Sequence, residues 1–167
     1  MNYIIAIDPD MRKSGVAIID EDGGIVELES MGIVQLSELA EQMKGSTFVI
    51  EDVNANGAVY RHNRKGNASV QARIAQNIGM VKAAGTMIIE IIESATGRPP
   101  ILAPAGLGKQ VKRNAKLFRE MTGWQGSTNE DTRDAAAIGM WVAHQLSNGW
   151  QVDEKTGQLI RPLYNKN

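Results

Sequence analysis

The chain has 167 residues, of which 22% are charged, and its formal net charge is −1. This length and composition are typical of one globular domain with a sizeable core. The sequence contains no cysteine, which excludes disulfides and thiolate metal sites, and its two histidines are too few for a histidine-rich zinc site. No apolar run is long enough to span a bilayer, so we expect a cytoplasmic protein without a membrane partner.

The small net charge does not exclude a nucleic-acid partner, because the charges are unevenly distributed. Residues 20–41 are mostly acidic, whereas residues 61–73 and 109–119 are mostly basic. Local basic patches, rather than the average charge, attract phosphates to a surface. The composition is therefore compatible with a surface that binds nucleic acid.

The predicted elements are, in chain order, three strands, a helix, a strand, a long helix, a strand and two further helices. The first strand is a continuous apolar run, which is typical of a central strand, and Asp22-Gly-Gly24 predicts a hairpin turn. This order predicts an α/β fold with a mixed five-stranded sheet, its first three strands antiparallel, flanked by helices. The predicted domain covers residues 1–150, and residues 151–167 are predicted to be a polar tail that is a loop or partly disordered. The predicted strands are 3–7, 15–19, 25–33, 47–50 and 101–103, and the predicted helices are 35–44, 68–94, 109–121 and the helix that follows Ser127.

The last predicted helix carries two aspartates on its apolar face. Ser127 can cap its N-terminus, with Glu130 three residues later in a capping-box pattern, and the helix is predicted to end near Gly149. Asp131 and Asp134 share one face. That face continues with apolar side chains, namely Ile138, Trp141, Val142 and Leu146. A buried carboxylate pair is costly unless a cation neutralises it, which favours a divalent metal. The alternative, that the acids only complement the helix dipole, accounts for Glu130 and Asp131 but not for Asp134.

Two more acids end predicted strands, Asp8 the first strand and Glu51 the fourth. If these strands are neighbours, both acids emerge at one edge of the sheet, and the acidic helix face can close over that edge. Four carboxylates are hard oxygen ligands that suit Mg²⁺, with Mn²⁺ as a substitute, and such a cluster can hold two ions per active site for phosphodiester hydrolysis. Each acid alone also has a simpler explanation, since Asp8 can begin a turn and Glu51 can merely end a strand. We predict that the metal ligands and catalytic residues are Asp8, Glu51, Asp131 and Asp134.

Several segments of the chain together resemble one known family. They are Ile5-Ala-Ile-Asp-Pro9 with Ser14-Gly15, Ile50-Glu51, Asn67-Ala68 with Gln76-x-x-Gly79, Gln110-Val-Lys112 with Ala115-Lys116, and Asp131-x-x-Asp134-Ala-Ala-Ala-Ile. The pattern resembles the RuvC-type Holliday junction resolvases, which have an RNase H-like fold. The resemblance implies a magnesium-dependent homodimeric endonuclease of DNA recombination and repair. Such an enzyme makes paired nicks in four-way junctions or other branched DNA, in a bacterial cell and encoded by host or phage. It also implies that the four acids named above are its metal ligands.

Three positions depart from that family's pattern. Asp10 stands where glycine is usual, Asp52 stands where glutamine is common, and Asn54 lies near the place of an aromatic that some members insert into the junction. Tyr60 is therefore a candidate junction wedge, although a loop tyrosine is more often ordinary surface. The departures bear on junction opening and on sequence preference rather than on the metal chemistry.

Two basic clusters flank the predicted acidic site. A single basic residue is usually just solvated surface, but basic residues on both sides of an acidic site favour contact with DNA phosphates. The candidate DNA-binding residues are Arg61, Arg64 and Lys65 in the loop after Glu51, and Lys109, Lys112, Arg113 and Lys116 in the basic helix.

The long helix has an apolar seam that is longer than one small sheet needs. The seam consists of Val70, Ile74, Ile78, Val81, Ile88 and Ile92. Its surplus predicts a two-fold homodimer, whose two active sites would serve the two strands of a junction.

Three alternative functions remain open at this point. One is a nuclease of the same fold that acts on RNA–DNA hybrids or on branched DNA generally, and another is a non-catalytic module that binds DNA junctions. The third is an actin-like phosphotransferase, because residues 8–15 faintly resemble a phosphate-binding loop. That fold needs a second such loop and a second domain, for which this chain is too short.

Overall fold

The computed structural model describes residues 3–55 and 68–161, which form a mixed five-stranded sheet between helices. The strands are β1 (Ile4–Asp8), β2 (Ser14–Ile19), β3 (Ile25–Met31), β4 (Thr47–Glu51), β5 (Ile101–Ala103), β6 (Gln151–Val152) and β7 (Leu159–Ile160). The helices are α1 (Ile33–Gln42), α2 (Ala68–Thr96), α3 (Lys109–Lys112), α4 (Ala115–Thr122) and α5 (Glu130–Ser147).

The order of strands in the main sheet is β3-β2-β1-β4-β5. β1, β2 and β3 pair antiparallel, whereas β4 runs parallel to both β1 and β5. This arrangement confirms the predicted fold class, including the three antiparallel strands at the start of the chain.

Alternate side chains of β1 divide the core into two layers. Ile4 and Ala6 belong to the apolar cluster that includes α5, whereas Ile5 and Ile7 belong to the cluster that includes α1 and α2. β1 is central and covered on both faces, which is why its sequence is a continuous apolar run rather than an alternating one. Asp8 has the same parity as Ile4 and Ala6, so the strand directs its carboxylate to the α5 side.

Two glycines allow α5 to lie close to the sheet. A Cβ at Gly139 would come within 3.0 Å of the Ala6 Cβ, and a Cβ at Gly15 would collide with the main-chain carbonyl of Asp131. Gly15 is also the antiparallel partner of Asp8. The first turn of α5 is therefore placed directly beside the end of β1.

The start of α5 differs from the prediction. The N-cap is Asn129 rather than Ser127, and its partner in the capping box is Thr132 rather than Glu130. The Asn129 side chain accepts the Thr132 N–H at 2.8 Å, and the Thr132 hydroxyl accepts the Asn129 N–H at 3.0 Å. Both candidate caps offer a side-chain oxygen, and the reciprocal bond from Thr132 selects the second.

Two further segments differ from their predicted conformations. The predicted helix over residues 109–121 is divided into α3 and α4, because the Asn114 side chain accepts the Leu117 N–H at 3.0 Å and begins a new helix. The segment expected to be a loop after residue 150 contains the β6–β7 hairpin. Gly157 in its turn lies so close to the Pro100 carbonyl that a Cβ would collide with it. The hairpin is thereby docked beside the start of β5.

No helix within the two described ranges is both long and apolar enough to cross a membrane.

Candidate active site

Asp8 and Glu51 end neighbouring parallel strands at the same level. Ile7 is in register with Ile50, so the next residue on each strand is an acid. The Glu51 carboxylate accepts the main-chain N–H of Gly106 at 2.7 Å, from the turn that follows β5. The expectation that these strands are neighbours is confirmed, and the loop after the third parallel strand fixes one of the acids.

α5 places Asp131 and Asp134 over this edge of the sheet. The Asp134 side chain is only 6% exposed, whereas Asp131 is half-buried. Gly108 packs directly against Asp134, because a Cβ at Gly108 would collide with the Asp134 Oδ1 atom. A helix start that only complemented its own dipole would leave its acids in solvent, so the dipole does not account for the burial of Asp134.

The Lys112 ammonium lies among these acids. Its Nζ is 2.6 Å from Asp134 Oδ2 and 3.3 Å from Asp8 Oδ2, and its side chain is 33% exposed. Burial lowers the pKa of Lys112, but the hydrogen bond to Asp134 and the charge of Asp8 outweigh burial and raise it above its ordinary value. Lys112 is therefore a charged ammonium that joins β1 to α5 through two carboxylates.

Negative charge nevertheless exceeds positive charge at the site. Burial raises the pKa of Asp8 to about 7; the charges of Asp134 and Glu51 add to this effect, and Lys112 opposes it. Burial also raises the pKa of Asp131, with contributions from the neighbouring charges of Asp10 and Asp134 against the opposing charge of Lys112. One lysine does not compensate the charge of the four acids, which is the condition under which a further cation would be favoured.

The donor set has the chemistry of a divalent-metal site. All four acids offer hard carboxylate oxygens, and no described residue donates a hydrogen bond to the buried Oδ1 of Asp134. Across residues 3–55 and 68–161, however, no three acidic or histidine side chains converge into a metal-binding group. The Lys112 ammonium lies between two of the acids instead. The residues fit a divalent ion by their chemistry, and their ligation of one stays a prediction.

The sequence did not reveal the role of Arg133, which lies between the two aspartates of α5. This arginine is buried, and its guanidinium donates to the main-chain carbonyls of Val111 and Lys112 and to the Thr128 hydroxyl. It binds α3 to α5 just beside the acids. The signal in the sequence was a charged residue, Arg133, followed by small and apolar residues of α5. That pattern does not identify the carbonyl groups to which the arginine donates.

The predicted basic residues lie in different surroundings. Lys109, Arg113 and Lys116 are exposed, and Lys116 pairs with Glu120 at 3.7 Å along α4. The Lys109 side chain lies against Gly106, next to the turn that holds Glu51. Lys112 alone of these four contacts the acids. Tyr60, Arg61, Arg64 and Lys65 lie outside the described residues.

The residues that depart from the family pattern also have defined places. Asp10 lies near enough to Asp131 for its charge to raise the pKa of Asp131. It therefore adds a negative charge beside the predicted site, as expected. The Asp52 carboxylate accepts the main-chain N–H groups of Asn54 and Ala55 at 2.9 and 3.1 Å. Asp52 therefore stabilises the turn after β4.

Comparison with known proteins identifies relatives of one kind. The crossover junction endodeoxyribonuclease RuvC of Mannheimia succiniciproducens is 25% identical over 195 aligned positions, which cover 99% of this chain and 92% of that protein. Thermus thermophilus RuvC in complex with a Holliday junction substrate matches with a TM-score of 0.58 and 15% identity, covering 88% of this chain and 96% of that one. A second T. thermophilus RuvC structure matches with a TM-score of 0.54 and 16% identity over the same shares. No family model matches the chain. In sequence over nearly its whole length, and in its RNase H-like fold, this chain resembles the RuvC-type Holliday junction resolvases.

Proposed function

We propose that this chain is a structure-selective endodeoxyribonuclease that hydrolyses phosphodiester bonds in four-way junctions and other branched DNA. The observation that carries the proposal is the pairing of Asp8, at the end of β1, with Asp134 of α5 through the Lys112 ammonium, beside Glu51 at the end of the neighbouring parallel strand. The RuvC relatives supply the substrate class. We propose that the activity belongs to the bacterial cytoplasm, encoded by host or phage.

The proposed metal ligands are Asp8, Glu51, Asp131 and Asp134, which would hold two Mg²⁺ or Mn²⁺ ions. Bound ions of this type activate water for attack on phosphorus and stabilise the leaving oxygen. The chain contributes the preorganisation of these ligands. The Gly106 N–H orients Glu51, and the close approach of Gly108 and Gly15 keeps the first turn of α5 against the sheet. These contacts support a ligand set whose carboxylates are held by strands and a helix before substrate arrives.

The proposed DNA contacts come from two segments of the sequence. Lys109, Arg113 and Lys116 are exposed on α3, α4 and the link between them, where they can meet backbone phosphates. Arg61, Arg64 and Lys65 stand in the sequence between Glu51 and α2, outside the described residues, and Tyr60 beside them is the candidate junction wedge. These residues would position the duplex arms, while the acids would cut.

The proposed enzyme is a homodimer. A four-way junction must be cut in two strands of like polarity, and two sites related by a two-fold axis give paired nicks. The exposed part of the α2 seam supports this assembly, because Val70 is 47% exposed and Ile74 and Ile78 are only half-buried.

The test compares three substrates in Mg²⁺: a synthetic four-way junction, a linear duplex and an RNA–DNA hybrid. The parent is expected to make paired nicks in the junction only, and Glu51→Gln to lose at least a hundredfold in rate while still binding the junction. Glu90→Gln is the matched control, because it replaces the same side chain by the same amide at an exposed position on α2. It should cut like the parent.

Other outcomes would contradict parts of the proposal. Cutting of the hybrid in preference to the junction would retain the site and make the chain a ribonuclease. Tight junction binding without any cleavage by the parent would make it a non-catalytic junction-binding module.

A further inference from the structure

Lys112 occupies the place among the acids where an added cation would neutralise them. Its Nζ contacts Oδ2 of both Asp8 and Asp134, and its charge also opposes the rise in the pKa of Asp131. An ammonium at the Oδ2 atoms of both acids competes with a divalent ion that binds the same two carboxylates, because the two cations repel each other at this short range. Occupation by one therefore opposes occupation by the other.

The backbone of Lys112 is held firmly, whereas its side chain has a way out. Arg133 donates to the carbonyl oxygens of both Val111 and Lys112, so the end of α3 is fixed to α5. The Lys112 side chain is 33% exposed, and its ammonium stands at the end of a flexible four-carbon stem. The ammonium can leave Asp8 and Asp134 by rotation of its own side chain, without movement of α3.

From these contacts we propose that Lys112 is a resident counter-ion of the acidic site, and that a divalent metal binds Asp8 and Asp134 only when the Lys112 ammonium withdraws. The inference rests on the proposed metal-dependent function of the same site. It gives Lys112 two positions: one keeps the repelling carboxylates together before metal arrives, and the other frees the ammonium for a DNA phosphate. Arg133 is the positioning residue that keeps Lys112 within reach of both.

Competition of this kind lowers the apparent metal affinity by the fraction of molecules in which the site is open. Removing the ammonium should therefore tighten metal binding, although it removes a favourable contact of the metal-free fold. A lysine that only supported the fold would give the opposite result, since its loss would disorder the ligands and weaken metal binding.

The experiment titrates the full chain, freed of metal with a chelator and then dialysed, with Mn²⁺, following free Mn²⁺ by electron paramagnetic resonance. Lys112→Met keeps the apolar stem and removes the charge, and we expect it to bind Mn²⁺ at least tenfold more tightly than the parent. Lys44→Met is the matched control, because Lys44 is exposed just before the opposite end of β4. It should bind Mn²⁺ like the parent.

A second variant and a second measurement guard against a folding defect. Lys112→Gln retains a hydrogen-bond donor, and its melting temperature should rise more than that of the parent when Mn²⁺ is added, because ligand binding stabilises the state that binds it. Unchanged or weaker Mn²⁺ binding in both Lys112 variants would overturn the inference, as would the absence of Mn²⁺ binding in parent and variants alike.

Junction cleavage by the parent, measured beside these titrations, separates this inference from the proposed function. Tighter Mn²⁺ binding in the Lys112 variants together with no cleavage of any DNA by the parent would retain the inference and refute the nuclease. Junction cleavage by the parent with no gain in Mn²⁺ affinity in the variants would do the reverse.

Discussion

At Asp8, burial and neighbouring acids make the ionised carboxylate unfavourable in the folded state, with a pKa of about 7 against an ordinary value of 3.8. Between these two pH values the folded chain binds more protons at this position than the unfolded chain does. The free energy of unfolding therefore decreases as pH rises through this window, and the contribution of the protonated Asp8 is fully present only below about pH 4.

Asp8→Asn should consequently stabilise the metal-free protein at neutral pH. The asparagine cannot ionise, so we expect an increase of about 1–3 kcal/mol in the free energy of unfolding at pH 8, which is less than the full pKa shift implies because Lys112 loses one partner. The difference should disappear towards pH 4. Urea denaturation in the presence of a chelator, at several pH values, measures it, and a pH-independent difference would contradict the explanation.

The site shows which residues sequence reasoning can find. Local patterns predicted that Asp8 and Glu51 end strands and that Asp134 lies on a buried helical face, and the structure has all three there, while their ligation of a metal stays a prediction. Lys112 and Arg133 are different, because their roles depend on the packing of α3 against α5. Lys112 reads as one more basic residue in a basic stretch, and only the tertiary contact shows that it binds the acids.

Among the elements, α5 determines where the acids meet. The 3.6-residue period predicted the burial of Asp134, Ile138 and Val142, whereas Trp141 and Leu146 on the same predicted face are only partly buried. The first residue of α5 was not predictable, because Ser127 and Asn129 are equally plausible caps in the sequence. The boundary between α3 and α4 was not predictable either, because residues 109–121 have one continuous helical pattern and the break at Asn114 does not interrupt it. Strand ends were predicted more closely, since the turns between the strands carry glycine, proline or charged residues.

The close contact between α5 and β2 gives a sharp test at Gly15. In Gly15→Ala the new methyl group meets the Asp131 carbonyl and the Thr132 N–H, so the first turn of α5 must move away from the sheet. We expect a loss of about 2–3 kcal/mol in the free energy of unfolding, as for overpacking of a tight core. Junction cleavage should fall as well, because Asp131 would be displaced.

Gly45→Ala is the matched control for this test. No heavy atom lies within 4 Å of a Cβ built at Gly45, and its backbone conformation is open to other residues. Its stability should stay within about 0.5 kcal/mol of the parent or increase slightly. Equal effects of the two substitutions on urea denaturation would show that the contact at Gly15 is not tight.

For the molecule as a whole, α2 is the helix whose apolar face is only partly buried within one chain. Ile88 and Ile92 in its C-terminal half are buried against the sheet, whereas on the same face Val70 is exposed and Ile74 and Ile78 are only half-buried. Exposed apolar surface continuous with a core is typical of a face that another chain covers. In the proposed homodimer, the N-terminal halves of two α2 helices would meet along this face.

Ile74→Glu should separate this proposed dimer. A carboxylate at the centre of an apolar two-fold interface is buried beside its symmetry mate, and the two like charges repel each other. By sedimentation at micromolar concentration, we expect the parent to have twice the mass of one chain and the variant to have the mass of one. Ala72→Glu adds the same charge to an exposed position on the opposite side of α2 and should stay dimeric.

A monomeric parent would refute the interface and, with it, the explanation of paired nicks by two sites in one particle. A monomeric Ile74→Glu variant that still nicks single strands of a junction would show that each chain holds a complete active site.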